Sequence, residues 1–241
     1  MNNFMIPKLL KVSLLILISL IIAKPCFSVQ KLKCATTNYP PYSIFDKSTD
    51  TFTGLDLDIV LPLFEQLGIE VDIVNLPWAR LKKEIPKGDY DCYFSLGKFK
   101  DREQFLEYSN LPMHITSIAI FYIENQGGID FSKKIVGVHR GINIHENIPP
   151  TYGIQSSTVH KLPSNEVLFK MLYTGRVDAV VTNKVVGKYI LKQMDVNFSV
   201  DILDIEEYKL PVYLAFRKGV VDISQVNKML LKIKTSTPSK L

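Results

Sequence analysis

Two nine-residue stretches of this chain, far apart in sequence, follow one plan. Lys87-Gly88-Asp89-Tyr90-Asp91-Cys92-Tyr93-Phe94-Ser95 and Thr174-Gly175-Arg176-Val177-Asp178-Ala179-Val180-Val181-Thr182 each read as a helix end, a glycine, a spacer pair, an aspartate, three apolar residues and a hydroxyl. The glycine closes the helix in a left-handed cap. The aspartate is placed to bond backbone at the strand entry. A chain that repeats helix, glycine and strand in this way is constrained to an α/β architecture, and the shared aspartate and terminal hydroxyl predict two similarly built lobes.

The segments between fit that plan. Lys31–Thr37 reads as a strand, followed by Asn38-Tyr39-Pro40-Pro41, whose prolines predict an extended turn. Leu57, Val60, Phe64 and Leu67 recur at helical spacing, with Gly68 as the stop and Pro62 predicting a kink or a late start. Ile69–Leu76 is a second strand, Pro77 to Ile85 a helix with Pro77 in its first turn, and Asp91–Leu96 a third strand. Two further strands, Thr116–Glu124 and Leu210–Arg217, the latter after an acidic turn at Glu206-Glu207, are read as crossings between lobes. The first lobe is therefore discontinuous, 29–116 with 211–241, and the second runs 117–210. The tail after Lys234 is polar and expected to be loose.

Residues 1–28 are set apart as a signal peptide: Lys8 and Lys11, no acid, an apolar run from Val12 to Ala23, and small residues at Cys26 and Ser28. The run is about a dozen residues, short of the ~20 that span a bilayer, which favours cleavage and export to the periplasm over an uncleaved anchor. Ala23-Lys24-Pro25 lacks the small-residue pattern of a lipoprotein site. The chain has 29 basic and 24 acidic residues. Removing Lys8, Lys11 and Lys24 leaves 26 against 24, a net charge of +2 with no basic stripe, which argues against nucleic acid. Cys34 and Cys92 remain; an oxidising compartment lets them pair, and their apolar strands also suit buried free thiols, the favoured reading.

No catalytic constellation emerges. His114, His139, His145 and His160 lack metal-ligand spacing; His139 and His145 are expected to face solvent. There is no Gly-x-Ser-x-Gly elbow, phosphate loop or dinucleotide fingerprint. Asp56 and Asp58, two apart in a first helical turn, read as solvated acids favoured by the helix dipole. Neither enzyme activity nor a cofactor is expected. Arg102, after a strand and a short loop, stands where open α/β sheets place ligands, and its guanidinium can grip a carboxylate through two parallel hydrogen bonds. The competing reading is a surface arginine paired with Asp101 or Glu103. Ser95, ending the third strand, is placed to offer its hydroxyl or backbone.

Tyr39-Pro40-Pro41-Tyr42, Gly54-Leu55-Asp56-Leu57-Asp58, Gly88-Asp89-Tyr90-Asp91, Asp101-Arg102-Glu103, Tyr108-Ser109-Asn110-Leu111-Pro112, Gly137-Val138-His139-Arg140-Gly141 and Gly175-Arg176-Val177-Asp178-Ala179-Val180 occur in one order across the chain. In that order the sequence resembles the family 3 extracellular solute-binding proteins, and Pro77-Trp78-Ala79-Arg80 resembles a divergent subgroup. The resemblance implies a two-lobed type II periplasmic-binding fold and a monomeric receptor. Such a receptor takes a small polar, carboxylate-bearing ligand, an amino acid or a related compound, to the membrane permease of an ABC importer. A catalytic derivative of the fold, dehydratase-like or murein-cleaving with an acid such as Glu124 or Glu166, and a soluble sensor for a membrane receptor are the alternatives. By resemblance, Arg102 anchors the carboxylate, Tyr39 and Trp78 cover the ligand, and the second lobe closes around Gly141, Ile142 and Asn143. Two positions depart from the amino-acid receptors. Phe99 stands where they carry Thr, and Asn183 where they carry the acid that pairs with the ligand's α-ammonium. Asn183 is thus expected either to face the ligand as an uncharged amide or to cap its helix.

Overall fold

The computed structural model describes residues 30–123, 130–142, 146, 148–194 and 199–236. Residues 1–28, Glu124, Asn143, His145 and the end of the tail lie outside them, so the readings placed there have no structural counterpart. Among the described residues no helix is long and apolar enough to cross a membrane.

The first strand, β1 (Gln30–Thr36), leads to a small hairpin of β2 (Ile44–Asp46) and β3 (Thr51–Thr53). Then come α1 (Leu57–Leu67), β4 (Ile69–Asn75), α2 (Trp78–Glu84), β5 (Cys92–Gly97), the single-turn α3 (Lys100–Glu103), β6 (Leu106–Tyr108) and β7 (His114–Tyr122). The second half holds β8 (Ile135–His139), β9 (Thr158–Leu162), α4 (Asn165–Tyr173), β10 (Ala179–Asn183), α5 (Lys184–Gln193), β11 (Asp201–Arg217) and α6 (Ile223–Ser236).

One curled sheet runs in the order β4-β1-β5-β11-β7-β10-β8-β9, with β6 beside β11, and it is folded into two lobes. The joint is the antiparallel pair β7–β11. The early half of β11 pairs with β7 from Asp201↔Tyr122 to Ile205↔Ile118, in the register that β10 shares with β7 on its other edge. After a register shift between Ile205 and Lys209, β11 continues along β7 to Val212↔His114 and then pairs with β5 and β6. The acidic turn expected at Glu206-Glu207 is therefore an irregularity inside a long strand. Such bulges bend a strand and increase its twist.

Each lobe repeats the other's central motif. β1 and β5 are parallel, as are β8 and β10. Gly88 and Gly175 have positive φ, 77° and 66°, as their helix-ending role requires. Asp91 donates its N–H to the Lys33 carbonyl at 2.7 Å and accepts from the Lys33 N–H at 2.9 Å. Asp178 makes the same two-pronged contact with Ile135, at 2.8 and 2.7 Å. The repeated aspartate thus ties each central strand to its parallel neighbour. The terminal hydroxyls diverge: Thr182 donates to the Asn165 side chain at 2.9 Å inside the second lobe, whereas Ser95 turns toward the space between lobes.

Packing follows the apolar periodicity. Leu57, Val60, Leu63 and Phe64 of α1 and Val226, Leu230 and Ile233 of α6 bury against Leu32, Phe94, Leu214 and Phe216. Phe121, Leu168, Phe169, Leu172, Val186 and Ile190 form the corresponding core of the second lobe, and Tyr42 reaches across from the first-lobe sequence to join them. Four local expectations are revised. Helix α1 begins at Leu57 and continues through Pro62 without the predicted late start. Pro77 sits one residue before α2, as its cap. The Tyr39–Ser43 segment is a tight turn rather than an extended one, with a cis Pro40–Pro41 bond and Tyr39 N–H on the Ser43 carbonyl at 2.7 Å. Cys34 and Cys92, opposite each other in the β1–β5 register with Cα atoms 4.5 Å apart, are joined in a disulfide rather than left as free thiols.

Gly187 lies within α5, where glycine costs about 1 kcal/mol relative to alanine. A Cβ at this position would stand 2.2 Å from the Phe121 ring. Close approach of helix and sheet therefore outweighs helix propensity. We expect Gly187→Ala to destabilise the fold by about 1–3 kcal/mol through overpacking, read as a lower denaturant midpoint; a higher midpoint would show that propensity wins.

Candidate functional site

A cavity of about 500 Å³ opens between the lobes. Its first-lobe wall is built by the end of β1, the turn after it, the ends of β5 and α1, and helices α2 and α3; its second-lobe wall holds His139, Gly141, Ile142 and Tyr208. Tyr39, Trp78, Ser95, Arg102 and Gly141, five of the seven residues singled out in the sequence, all line it. Asn143 lies outside the described residues. Asn183 is buried and is absent from the lining: its amide oxygen accepts from the Val185 and Val186 N–H groups at 2.8 and 3.2 Å, capping α5. The amide oxygen is thus committed to its helix, while Nδ2 is buried without a hydrogen-bond partner among the described residues.

Arg102 is half-buried. Its Nη1 donates to the Gly97 carbonyl at 2.9 Å, and its guanidinium lies 5.6 Å from the Trp78 ring centre and 4.9 Å from that of Phe99. Neither Asp101 nor Glu103 pairs with it; Glu103 faces Lys98 at 3.5 Å instead. Among the described residues no carboxylate lies within 4.0 Å of this cation. Cation–π contact with two rings orients the guanidinium without using its hydrogen-bond donors. Burial pulls the Arg102 pKa down from its ordinary high value, yet a guanidinium stays protonated under any working condition.

Lys82, one helical turn after Trp78, joins the same wall. Residues four apart share a helix face, and Trp78 Nε1 (3.2 Å) and Lys82 Nζ both donate to the Gly141 carbonyl of the other lobe. Burial, then the neighbouring Arg102 charge, lowers the Lys82 pKa. Gly141 has φ of 85°, and a Cβ there would come within 3.3 Å of Trp78 and Ala79. The seam between lobes is therefore closed at this point by a backbone oxygen.

The cavity floor holds a group that sequence reasoning placed elsewhere. Asp56 is buried at 1 % exposure, not solvated, while Asp58 is exposed. Asp56 Oδ2 accepts from the hydroxyls of Ser43 (3.3 Å) and Ser95, and Oδ1 lies 3.5 Å from His114 Nδ1. His114 stacks on Tyr42 with ring centres 3.7 Å apart. His139 is half-buried in the cavity rather than solvent-facing, its pKa lowered by burial. Ser95 has φ of 47° and sits where the β5–β11 register shifts between Tyr213 and Ala215, so a bulge aims its side chain at the floor. Although serine, histidine and aspartate meet here, Asp56 stands between the other two. Nucleophilic catalysis needs the imidazole between hydroxyl and carboxylate, and Ser95 has no such base.

The sequence pattern of the bacterial extracellular solute-binding proteins, family 3, matches residues 32–240. The L-cystine-binding protein TcyA of Bacillus subtilis (strain 168) is 24% identical over 198 residues, covering 81% of this chain and 73% of the relative. An ancestral arginine-binding protein bound to arginine superposes with a TM-score of 0.72 at 24% identity, covering 85% of this chain and 92% of that one. The ancestral amino acid-binding protein AncCDT-1, a precursor of cyclohexadienyl dehydratase, superposes with a TM-score of 0.69 at 22% identity, covering 85% and 89%. These neighbours have the same two-lobed type II fold.

Burial pushes the hydroxyls of Tyr42 and Tyr108 up to about 12, above the usual value of about 10. A folded-state pKa raised in this way means that the native state keeps protons that the unfolded chain releases. The associated stability is whole below about pH 10 and is lost as pH rises toward 12. Melting temperature should fall between pH 10 and 12, and the Tyr42→Phe/Tyr108→Phe pair should fall less steeply over that window.

Proposed function

The chain belongs to the bacterial extracellular solute-binding proteins, family 3, and from that premise we propose that it is an exported receptor. In this reading residues 1–28 are a signal peptide removed on passage to the periplasm. The mature, monomeric protein captures a small polar ligand bearing a carboxylate, an amino acid or a close relative, and delivers it to the permease of an ABC importer. The observation that carries this reading is the Arg102 guanidinium: a half-buried cation on the wall of an interlobe cavity, beside Trp78 and Phe99 and without a carboxylate partner among the described residues. Buried charges are normally paired, so an incoming anion supplies what the chain withholds. The binding proteins among its relatives support a receptor rather than an enzyme.

The proposed mechanism is hinged closure. Residues 29–116 with 211–241 form one body and 117–210 the other, and β7 and β11 flex where the register of β11 shifts. The ligand enters the open cleft, its carboxylate meets Arg102 and Lys82, and Tyr39 and Trp78 cover its body. Closing brings the Gly141 carbonyl onto Trp78 and Lys82, and ligand contacts with both lobes favour that population.

A thermal-shift screen of the mature chain against amino acids, organic acids, amines and short peptides tests this directly. Truncating one partner of a buried charge pair costs roughly 2–5 kcal/mol, at least about 30-fold in affinity. Arg102→Ala should therefore abolish the shift given by the true ligand, and full affinity in that variant would remove the anchor from the reading. Conversion of a bound compound would instead indicate a catalytic derivative. Trp78 is the sole tryptophan of the chain. Its fluorescence should change on titration with any cleft ligand, and an unchanged spectrum would place binding elsewhere.

A further inference from the structure

The cavity floor carries a second recognition element, complementary in sign to Arg102. Asp56 is buried, and its contacts are the Ser43 hydroxyl, the Ser95 hydroxyl and the His114 imidazole. Among the described residues no lysine or arginine lies within 4.0 Å of it. Burying a carboxylate with no lysine or arginine beside it is costly unless a cation compensates its charge.

The protons around Asp56 decide what the cleft offers. A hydroxyl has one hydrogen and two lone pairs, and the Ser95 hydrogen is spent on Asp56. Asp56 Oδ1 lies 3.5 Å from Nδ1, and the imidazole hydrogen of His114 is assigned to that nitrogen because it faces the acid. That leaves Nε2 as an acceptor. It is buried and has no hydrogen-bond partner among the described residues, an exception that buried polar atoms rarely show. His114 and Ser95 both line the cavity. Stacking on Tyr42 fixes the ring, and the strained bulge at Ser95 fixes the hydroxyl. Two acceptors therefore meet the cavity, both polarised by one negative charge behind them.

We propose that Asp56, acting through His114 Nε2 and Ser95 Oγ, is the binding site for a protonated amino group of the ligand. The cleft thus selects zwitterions, with their anionic end on Arg102 and their cationic end on this floor. The inference rests on the proposed receptor function of the cleft and names its ligand class. It also removes the objection raised by Asn183, because the charge opposite an ammonium is supplied from the first lobe instead of from β10.

The test uses matched sets: an L-amino acid, the carboxylic acid lacking its amino group, and the amine lacking its carboxyl group. Each is titrated by calorimetry into the wild-type chain and the Asp56→Asn, His114→Phe, Ser95→Ala and Arg102→Ala variants. His114→Phe keeps a ring against Tyr42 while removing Nε2, and Ser95→Ala leaves Asp56 in place, so a misfolded Asp56→Asn does not end the test. In the wild type the amino acid should bind about 10- to 100-fold more tightly than its deamino partner, the range of a charge-assisted hydrogen bond. In the folded floor variants that ratio should shrink to within about 3-fold, while dependence on Arg102 persists. Equal affinity for the amino acid and its deamino partner in the wild type overturns the proposal, as does a ratio unchanged in His114→Phe and Ser95→Ala. In either case Arg102-dependent binding of the carboxylic acid leaves the receptor reading standing. If no member of any set binds, both readings fall.

Discussion

The ladder between β7 and β11 determines what the rest of the molecule can do. Each lobe has its own core, with Leu57, Phe64, Phe216 and Leu230 on one side and Phe121, Phe169, Leu172 and Ile190 on the other. The two cores are joined by strands that belong to both. An antiparallel pair resists stretching and sliding, because its hydrogen bonds fix register, but it twists and bends readily at a bulge. The shift between Ile205 and Lys209 supplies such a point midway along the joint. The cavity walls face one another beside this seam, with Arg102 and Trp78 on one side and Gly141 on the other.

Electrostatics in the cleft follow from how each lobe spends its polar groups. The repeated aspartates Asp91 and Asp178 are consumed in tying strands together, and the amide oxygen of Asn183 is consumed as a helix cap. What remains uncommitted is a cation stacked between rings and a pair of acceptors backed by Asp56. Stacking and hydroxyl bonding orient these groups without neutralising them, so their charge is available to something that is not protein. The same distinction separates the cluster from a hydrolase triad: its members are present, but Asp56 stands between Ser95 and His114, so Ser95 has no imidazole beside it to act as base.

Much of the fold was legible because it is written in local chemistry. Gly68, Gly88 and Gly175 end helices, apolar spacing marks α1, and the aspartate echo marks two equivalent strands; in each case the cause lies within a few residues of its effect. Arg102, Tyr39, Trp78 and Ser95 were legible for a related reason, since strand ends and helix starts converge on the cleft of an α/β sheet. Asp56 was misread because the helix-dipole argument is equally local and cannot see Ser95, thirty-nine residues on, or His114 descending from the hinge strand. The Cys34–Cys92 bond was misjudged as a pair of free thiols for the same reason: it depends on a parallel register that no single strand specifies. Phe99, noted only as a departure from the usual Thr, acquires a purpose once Arg102 is seen lying against it. Lys82 could have been found from its four-residue offset from Trp78, had the partner across the gap been visible.

The contact that brings the lobes together at Gly141 uses a main-chain oxygen as its acceptor, with Trp78 and Lys82 as donors. Every residue type carries that oxygen, so the clasp does not depend on which side chains the neighbouring second-lobe loop displays. In the proposed receptor, side chains near this point can therefore change without rebuilding the fastening, provided the glycine keeps its left-handed bend. Separating the machinery of shutting from the machinery of choosing in this way gives a scaffold room to diversify.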